Sequence, residues 1–354
     1  MILLLLTLLF SCYEDKPAPD SILIPEPDSV STDTDWVLIP EFKDKFVNAM
    51  VIRDSSIFVA GKWLVYLSTD NGKHWEERTN GIPVIRVLSM TDMVHNGVHY
   101  LFVGTADVGI YRSTDEGLNW TEANNGLGGS YIRALGTQGS TLYASASGIN
   151  DLGNLYVSYD QGGSWAIVQD VQCRGIINGI AGNERIVCVT TDGCGVWKSS
   201  DNGVSWDSAA GNIKPPPETE NYYDKGQNFA YNYSCYALGS DIYIGSHPCF
   251  FVSYDNLKNW YLLSKFYSQG TPQYNSPHYS PARVVAVAVA GNNILASSNG
   301  GGIQVTPDHG ATWYDYNDGF PEGVGISTFV IKTKDSLIFA GNGWGLYVNS
   351  KLLK

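Results

Sequence analysis

An all-β fold, a β-propeller of seven four-stranded blades, is what the sequence predicts, and three observations predict it. One octapeptide pattern recurs six times at a period of a few tens of residues. Between its copies lie short runs of β-branched and aromatic residues bounded by Gly, Asn and Asp, which are strand and turn signals. The two chain ends each carry a fragment of one further unit. No segment shows a long, capped 3.6-residue pattern, so little helix is expected.

The octapeptide reads Ser-x-Asp-x-Gly-x-x-Trp. It spans Ser68 to Trp75, Ser113 to Trp120, Ser158 to Trp165 and Ser199 to Trp206. Looser copies run from Ser253 to Trp260, with Leu257 in place of glycine, and from Thr306 to Trp313, with threonine in place of serine. The aspartates Asp70, Asp115, Asp160, Asp201, Asp255 and Asp308 are 45, 45, 41, 54 and 53 residues apart. That period suits a blade of four short strands. The residue types suit a tight hairpin. Asp accepts bonds from backbone N–H groups just downstream, glycine supplies a positive φ, and tryptophan buries a large ring where the outer strand begins. These are structural jobs, so the six aspartates are expected to be turn staples and not catalysts.

The pattern resembles the Asp-box, or BNR repeat, of a family of β-propellers. The resemblance implies that the octapeptide turns lie on the side away from the usual binding face, and that ligands sit over the central channel.

Blade two illustrates the grammar: an inner strand from Val87 to His95, a second from Tyr100 to Gly104, a third from Gly109 to Ser113, and a fourth opened by Trp120. Near the C-terminus, Ser327 to Lys332, Ser336 to Gly341 and Gly345 to Asn349 read as three strands without a fourth. Near the N-terminus, Trp36 to Pro40 reads as a fourth strand without the first three. Pairing them closes the ring and removes open sheet edges. The 320 residues from Asp35 onward then divide into seven units of about 46 each.

Three segments are predicted: 1–11 a lipoprotein signal peptide, 12–34 a disordered tether and 35–354 the propeller. Met1 to Ser11 is apolar and too short to span a bilayer. Leu9-Phe10-Ser11-Cys12 resembles a bacterial lipobox, which implies lipidation at Cys12, although the usual basic residues ahead of the apolar run are missing. A plain secretory signal is the alternative. The Pro-, Asp- and Ser-rich stretch that follows reads as a tether, and Tyr13-Glu14-Asp15 looks like the export signal of surface lipoproteins in Bacteroidetes-type bacteria. The expected address is therefore the bacterial cell envelope, as an outer-membrane lipoprotein held by its lipid alone.

Gly 38, Tyr 22 and Trp 10, with 16% charged residues, suit many turns and much aromatic packing. A net charge of −13 argues against a nucleic-acid partner. After Cys12, five cysteines remain: Cys173, Cys188, Cys194, Cys235 and Cys249. Cys188–Cys194 and Cys235–Cys249 each fall within one predicted blade and could pair. No Cys-x-x-Cys or His-x-x-x-His spacing occurs, so no metal or other cofactor is expected. A monomer is expected.

Ligand-contacting residues are sought in the loops over the channel mouth. Loops between second and third strands offer Lys62-Trp63, Asp107, Asn150-Asp151, Asp192, His247-Pro248, Asn299 and Trp344. Two long insertions, Lys214 to Tyr233 with Tyr222 and Tyr223, and Lys265 to Ala282 with Tyr274 and His278, flank the fifth blade. Their aromatics could stack on sugars, anchor a protein, or simply pack on one another. Arg86, Arg133, Arg174 and Arg283 stand 27, 25, 25 and 23 residues ahead of a box Ser or Thr. Such spacing predicts one ring of guanidiniums at the mouth, suited to a carboxylate, a sulfate or an acidic peptide. The alternative is that each pairs with a nearby carboxylate and staples adjacent blades.

Two functions follow. The chain resembles photosystem II stability/assembly factor-like and sortilin-type propellers, which implies a non-catalytic module binding a protein or glycan ligand. The alternative is a glycan-active enzyme on the same face. The Arg-Ile-Pro of sialidases is missing, and xyloglucanase-type enzymes work between two propellers where this chain has one. Glycosidases need two carboxyls roughly 5–10 Å apart, and no such pair is marked among Asp107, Asp151, Asp192, Glu218, Glu220 and Glu322. A lyase using His247 or His278 with a tyrosine has no motif behind it. Binding without catalysis is the preferred expectation.

Overall fold

The computed structural model describes residues 36–148, 153–171, 176–192, 194–209, 213, 232–246, 249–265, 284–298, 301–321 and 327–350. They form seven antiparallel four-stranded sheets. The innermost strand of each sheet packs against the innermost strands of its two neighbours, and the succession returns to its start. This is a seven-bladed β-propeller.

Blade one comprises Val47–Arg53, Ser56–Gly61, Val65–Ser68 and Glu76–Glu77. Blade two comprises Val87–His95, Val98–Thr105, Ile110–Ser113 and Thr121–Glu122. Blade three has Tyr131–Gln138, Thr141–Ser147, Asn154–Ser158 and Ala166–Ile167. Blade four has Ile177–Gly182, Val187–Thr191, Val196–Ser199 and Asp207–Ser208. Blade five has Asn232–Leu238, Asp241–Ser246, Cys249–Ser253 and Tyr261–Lys265. Blade six has Val284–Ala290, Asn293–Ser298, Gly302–Thr306 and Tyr314–Asp315. Blade seven takes Thr328–Lys334, Leu337–Asn342 and Leu346–Asn349 from the C-terminal end and Val37–Leu38 from the N-terminal end. Val37 pairs with Val348 and Leu38 with Tyr347, so the closing strand sits where the sequence predicts.

The core is divided into clusters, each between two neighbouring blades. Between blades one and two, for example, Phe58, Leu67, Val103 and Tyr111 interlock. Phe58, Phe102, Phe250 and Phe339 are fully buried, and each such ring contributes about 1.5–3 kcal/mol.

The octapeptide turns repeat one bonding scheme. In blade three, Ser158 Oγ donates to Asp160 Oδ1 at 2.8 Å and accepts from Gly162 N at 2.8 Å, while Ser164 N donates to Asp160 Oδ1 at 2.8 Å. The residue before the glycine also has a positive φ, as at Asn71 (61°) and Gly72 (82°). Leu257 stands in the glycine place of blade five with φ 64° and keeps the bond to Ser253 Oγ at 2.9 Å. It is buried, and that burial offsets the cost of a left-handed leucine, about 1–2 kcal/mol.

The tryptophans do more than begin strands. Trp120, Trp165, Trp260 and Trp313 each donate the indole N–H to a carbonyl at the outer edge of the preceding blade, at Arg78, Ala123, Ala209 and Leu263. Trp36, which has no octapeptide, does the same to Tyr316 O at 2.9 Å and so ties blade seven to blade six. Trp75 and Trp206 instead bond the glycine carbonyl of their own turn, at Gly72 and Gly203.

Hydroxyls add a second set of ties near the channel. Ser89, Ser145, Ser234 and Ser297 donate to the Ile132, Ile177, Val284 and Thr328 carbonyls of the next blade. The equivalent cross-strand pairs in blades one and seven, Ala49↔Ala60 and Val330↔Gly341, carry no hydroxyl.

Two expectations need correction. Cys188, Cys235 and Cys249 are buried thiols, so neither Cys188–Cys194 nor Cys235–Cys249 forms. Cys194 is disulfide-bonded. Cys188 instead faces Cys235 across the junction of blades four and five; burial first, and Cys188 second, push the Cys235 thiol up. The insertions are also shorter than expected, because Tyr233 belongs to the inner strand Asn232–Leu238 and Lys265 to the outer strand Tyr261–Lys265. The signal, the tether and Cys12 lie outside the described residues.

Candidate functional site

The inner strands share an irregularity that shapes the channel. Each carries a β-bulge one or two residues after its start, at Asn48, Leu88, Arg133, Asn178, Tyr233, Val285 and Phe329. A bulge bends the strand and re-aims a side chain. Five of these residues, Asn48, Leu88, Asn178, Val285 and Phe329, line a channel cavity of ≈ 550 Å³. Asn48 Nδ2 donates to Leu88 O at 3.1 Å, while its Oδ1 is buried without a partner.

Asp92 and Lys332 are the charged residues lining this cavity among the described residues. Burial pushes the Asp92 carboxyl up, opposed by Arg53 and then Lys332. Burial pulls the Lys332 ammonium down, opposed by Asp92. Arg53 is itself bound to Glu116 of the blade-two turn. A carboxylate facing cations is an electrostatic clamp for the wall, and among the described residues Asp92 has no second carboxyl beside it in the wall.

The box carboxylates are consumed by their turns. Hydrogen bonds from the Ser205 side chain and backbone draw Asp201 down to about 2, and those from Asn119 likewise lower Asp115. Both oxygens of each carboxylate accept hydrogen bonds from their own turn.

At the mouth, Arg86 and Arg133 are exposed, and neither has a carboxylate partner among the described residues. They are not equivalent. Arg133 is the bulge residue of its strand and aligns with Leu88, whereas Arg86 precedes its strand. Arg133 lies over Tyr131, 5.3 Å from the ring centroid. The offset is present in the counts themselves: Arg86 stands 27 residues ahead of Ser113 and Arg133 stands 25 ahead of Ser158, whereas Leu88, like Arg133, stands 25 ahead. Trp63 and Trp344 are about half exposed, at 51% and 48%, in the second-to-third-strand loops of blades one and seven. Trp344 O accepts from Asp44 N in the connection that leads into blade one. Arg174, Arg283, His247, Tyr222 and Tyr223 lie outside the described residues. Sequence reasoning also missed Asp92 and Lys332, since polar residues within an apolar strand carry no motif.

Fold and site together define a seven-bladed propeller whose channel wall is sparsely charged. The extracellular domain of a one component system from B. thetaiotaomicron is similar in structure, with a TM-score of 0.63 and 14% identity, covering 89% of this chain and 40% of that one. This chain thus spans less than half of that protein's length. YCF48 from Cyanidioschyzon merolae matches with a TM-score of 0.63 and 14% identity over 89% of this chain and 98% of that chain. A structure of YCF48 bound to D1 peptide gives 0.58 and 15%, covering 93% and 96%. The GH74 xyloglucanase of Xanthomonas campestris gives 0.61 and 16%, covering 90% of this chain and 54% of that enzyme. These likenesses show the fold. No family model and no curated protein matches the chain.

Proposed function

We propose that this propeller is a non-catalytic binding module, anchored to the cell envelope through Cys12, that holds a protein ligand with acidic groups over the channel mouth. The observation that carries this reading is the pair of exposed arginines, Arg86 and Arg133, without a carboxylate partner among the described residues, at the rim of a channel whose one lining carboxylate among those residues, Asp92, faces cations. Guanidiniums without a carboxylate partner among the described residues, in a chain of net charge −13, favour a carboxylate-bearing ligand. That one similar propeller, YCF48, has been captured with a peptide supports a protein ligand. The extracellular placement of another supports the envelope address.

The test is a paired screen of acidic peptides and glycans with the purified chain and the double variant Arg86→Glu/Arg133→Glu. A ligand that loses about tenfold or more in affinity, with a matching loss of salt dependence, supports the reading. Turnover of any polysaccharide overturns it in favour of a glycan-active enzyme.

A further inference from the structure

The chain turns from the closing strand into blade one through the residues around the short 3-10 turn Pro40–Phe42. Beside that turn lies a pocket of ≈ 240 Å³ that shares no lining residue with the channel cavity. We propose that it is a second binding site, for an aromatic or branched apolar group that carries a carboxylate.

Its walls are apolar: Phe42, Phe46, Val59, Leu64, Tyr66 and the half-exposed Trp63. Small-molecule sites are mostly apolar, with few well-placed polar groups, and run from about 300 Å³ upward. A pocket just below that range holds one group of amino-acid size and no oligosaccharide. A sugar would also need a dense set of hydrogen-bond partners that these rings do not offer.

Two ammonium groups set the polarity. Lys62 Nζ lies 4.3 Å from the Trp63 ring centroid. Lys45 Nζ donates to Tyr66 OH at 2.8 Å and lies 4.6 Å from that ring's centroid. Neither lysine has a carboxylate partner among the described residues. Asp44 also lines the pocket, and its charge, after burial, raises the Tyr347 phenol, so two ammonium groups stand against one carboxylate. An ammonium held on an aromatic face keeps free N–H donors, and two such groups beside rings create a local positive edge on an acidic protein. The ring stacks on Trp63 and the carboxylate meets Lys62 and Lys45.

A free aromatic acid and the C-terminal residue of a peptide present the same chemistry. Calorimetry would compare 3-phenylpropionate with 3-phenylpropionamide, and a Phe-terminated tripeptide with its amide. The Trp63 indole N–H resonance, assigned through Trp63→Phe, reports the location. The expected result is that each acid shifts that resonance and binds at least about tenfold more tightly than its amide. Lys62→Met should cost about tenfold and Lys62→Arg should retain affinity; the exposed position keeps the fold intact in both. A tighter tripeptide assigns the site to peptide termini, and a tighter free acid to small molecules. Equal binding of acid and amide, an unchanged affinity in Lys62→Met, or no shift at Trp63 up to about 10 mM overturns the proposal. Arg86→Glu/Arg133→Glu should leave this binding unchanged, which separates its failure from that of the mouth.

Discussion

Between blades two and three, the indole of Trp165 reaches back to Ala123 O at 2.8 Å and Ser89 Oγ bridges to Ile132 O at 3.2 Å. Between blades seven and one, the corresponding indole of Trp75 turns back onto Gly72 O, and the Val330↔Gly341 pair carries no hydroxyl to bridge the blades. That junction is packed with rings, Phe42 meeting Trp75 edge-on at 4.9 Å and Tyr66 edge-on at 5.1 Å and Phe46 stacking on Phe329 at 4.8 Å, and is tied by Lys334 Nζ, which donates to Asp54 O at 2.6 Å. The Ser/Thr–Asp bonds within the turn repeat in all six octapeptides, while the inter-blade indole bond is replaced at Trp75 and Trp206 by one within the turn. Where the chain must join its ends to the ring, aromatic packing takes over, and large planar groups meeting at angles leave the pocket proposed above as a ligand site.

The largest expected effect breaks the repeating junction. Trp165→Ala removes a buried ring and its inter-blade bond, and should cost about 3–5 kcal/mol in urea unfolding. Trp75→Ala removes a partly buried ring bonded only within its own turn, and should cost about 1–2 kcal/mol. Equal losses would erase the distinction between the two junctions.

Leu257→Gly sharpens the role of the repeat turn. Glycine relieves about 1–2 kcal/mol of left-handed strain but forfeits the burial of a side chain that is 2% exposed, worth about 1.5–3 kcal/mol plus a cavity term. Net destabilisation of about 1 kcal/mol is expected by thermal or urea unfolding. A rise in stability would show that φ, and not packing, governs the turn.

Ser297→Ala removes the bridge to Thr328 O, 2.7 Å long, at the entry to blade seven. A loss of about 1 kcal/mol is expected. An unchanged midpoint would make the hydroxyl ties incidental.

Acid provides the smallest and most selective probe. Asp201 has its folded pKa drawn from 3.8 to about 2. A depressed carboxyl contributes stability above the unfolded pKa, and that contribution is lost as pH falls through the folded value. Stability should therefore decline between about pH 4 and pH 2. The effect per turn is small because these groups are exposed. Hydrogen exchange in that window should rise at Ser205 N and Asn119 N, which bond box carboxylates, before it rises at Val348, which pairs with the closing strand. Simultaneous loss would show that the turns and the closure unfold as one unit.

Much of this was legible in the residues themselves. The six turns and the blade count follow from local chemistry, because Ser, Asp and Gly bond within a few residues of one another. Trp36 was legible as the opening of a closing strand but not as a clamp on Tyr316, since no octapeptide precedes it. Arg86 and Arg133 stand 27 and 25 residues ahead of their turns, and in the structure Arg133 aligns with Leu88, each at a bulge, two residues on from Arg86. A bulge depends on how a strand meets its partner, and single-strand patterns do not contain that information.

By itself, the sequence determined the repeat, the ring and the pairing of its ends, because those rest on contacts spanning a few residues or on the need to cover open edges. Only the tertiary structure decided that Asp92 and Lys332 face one channel, that Cys188 lies against Cys235, and that Lys45 and Lys62 meet around aromatic rings. Residues far apart along the chain become neighbours only once the blades are packed. Their burial and charge then belong to the assembled ring.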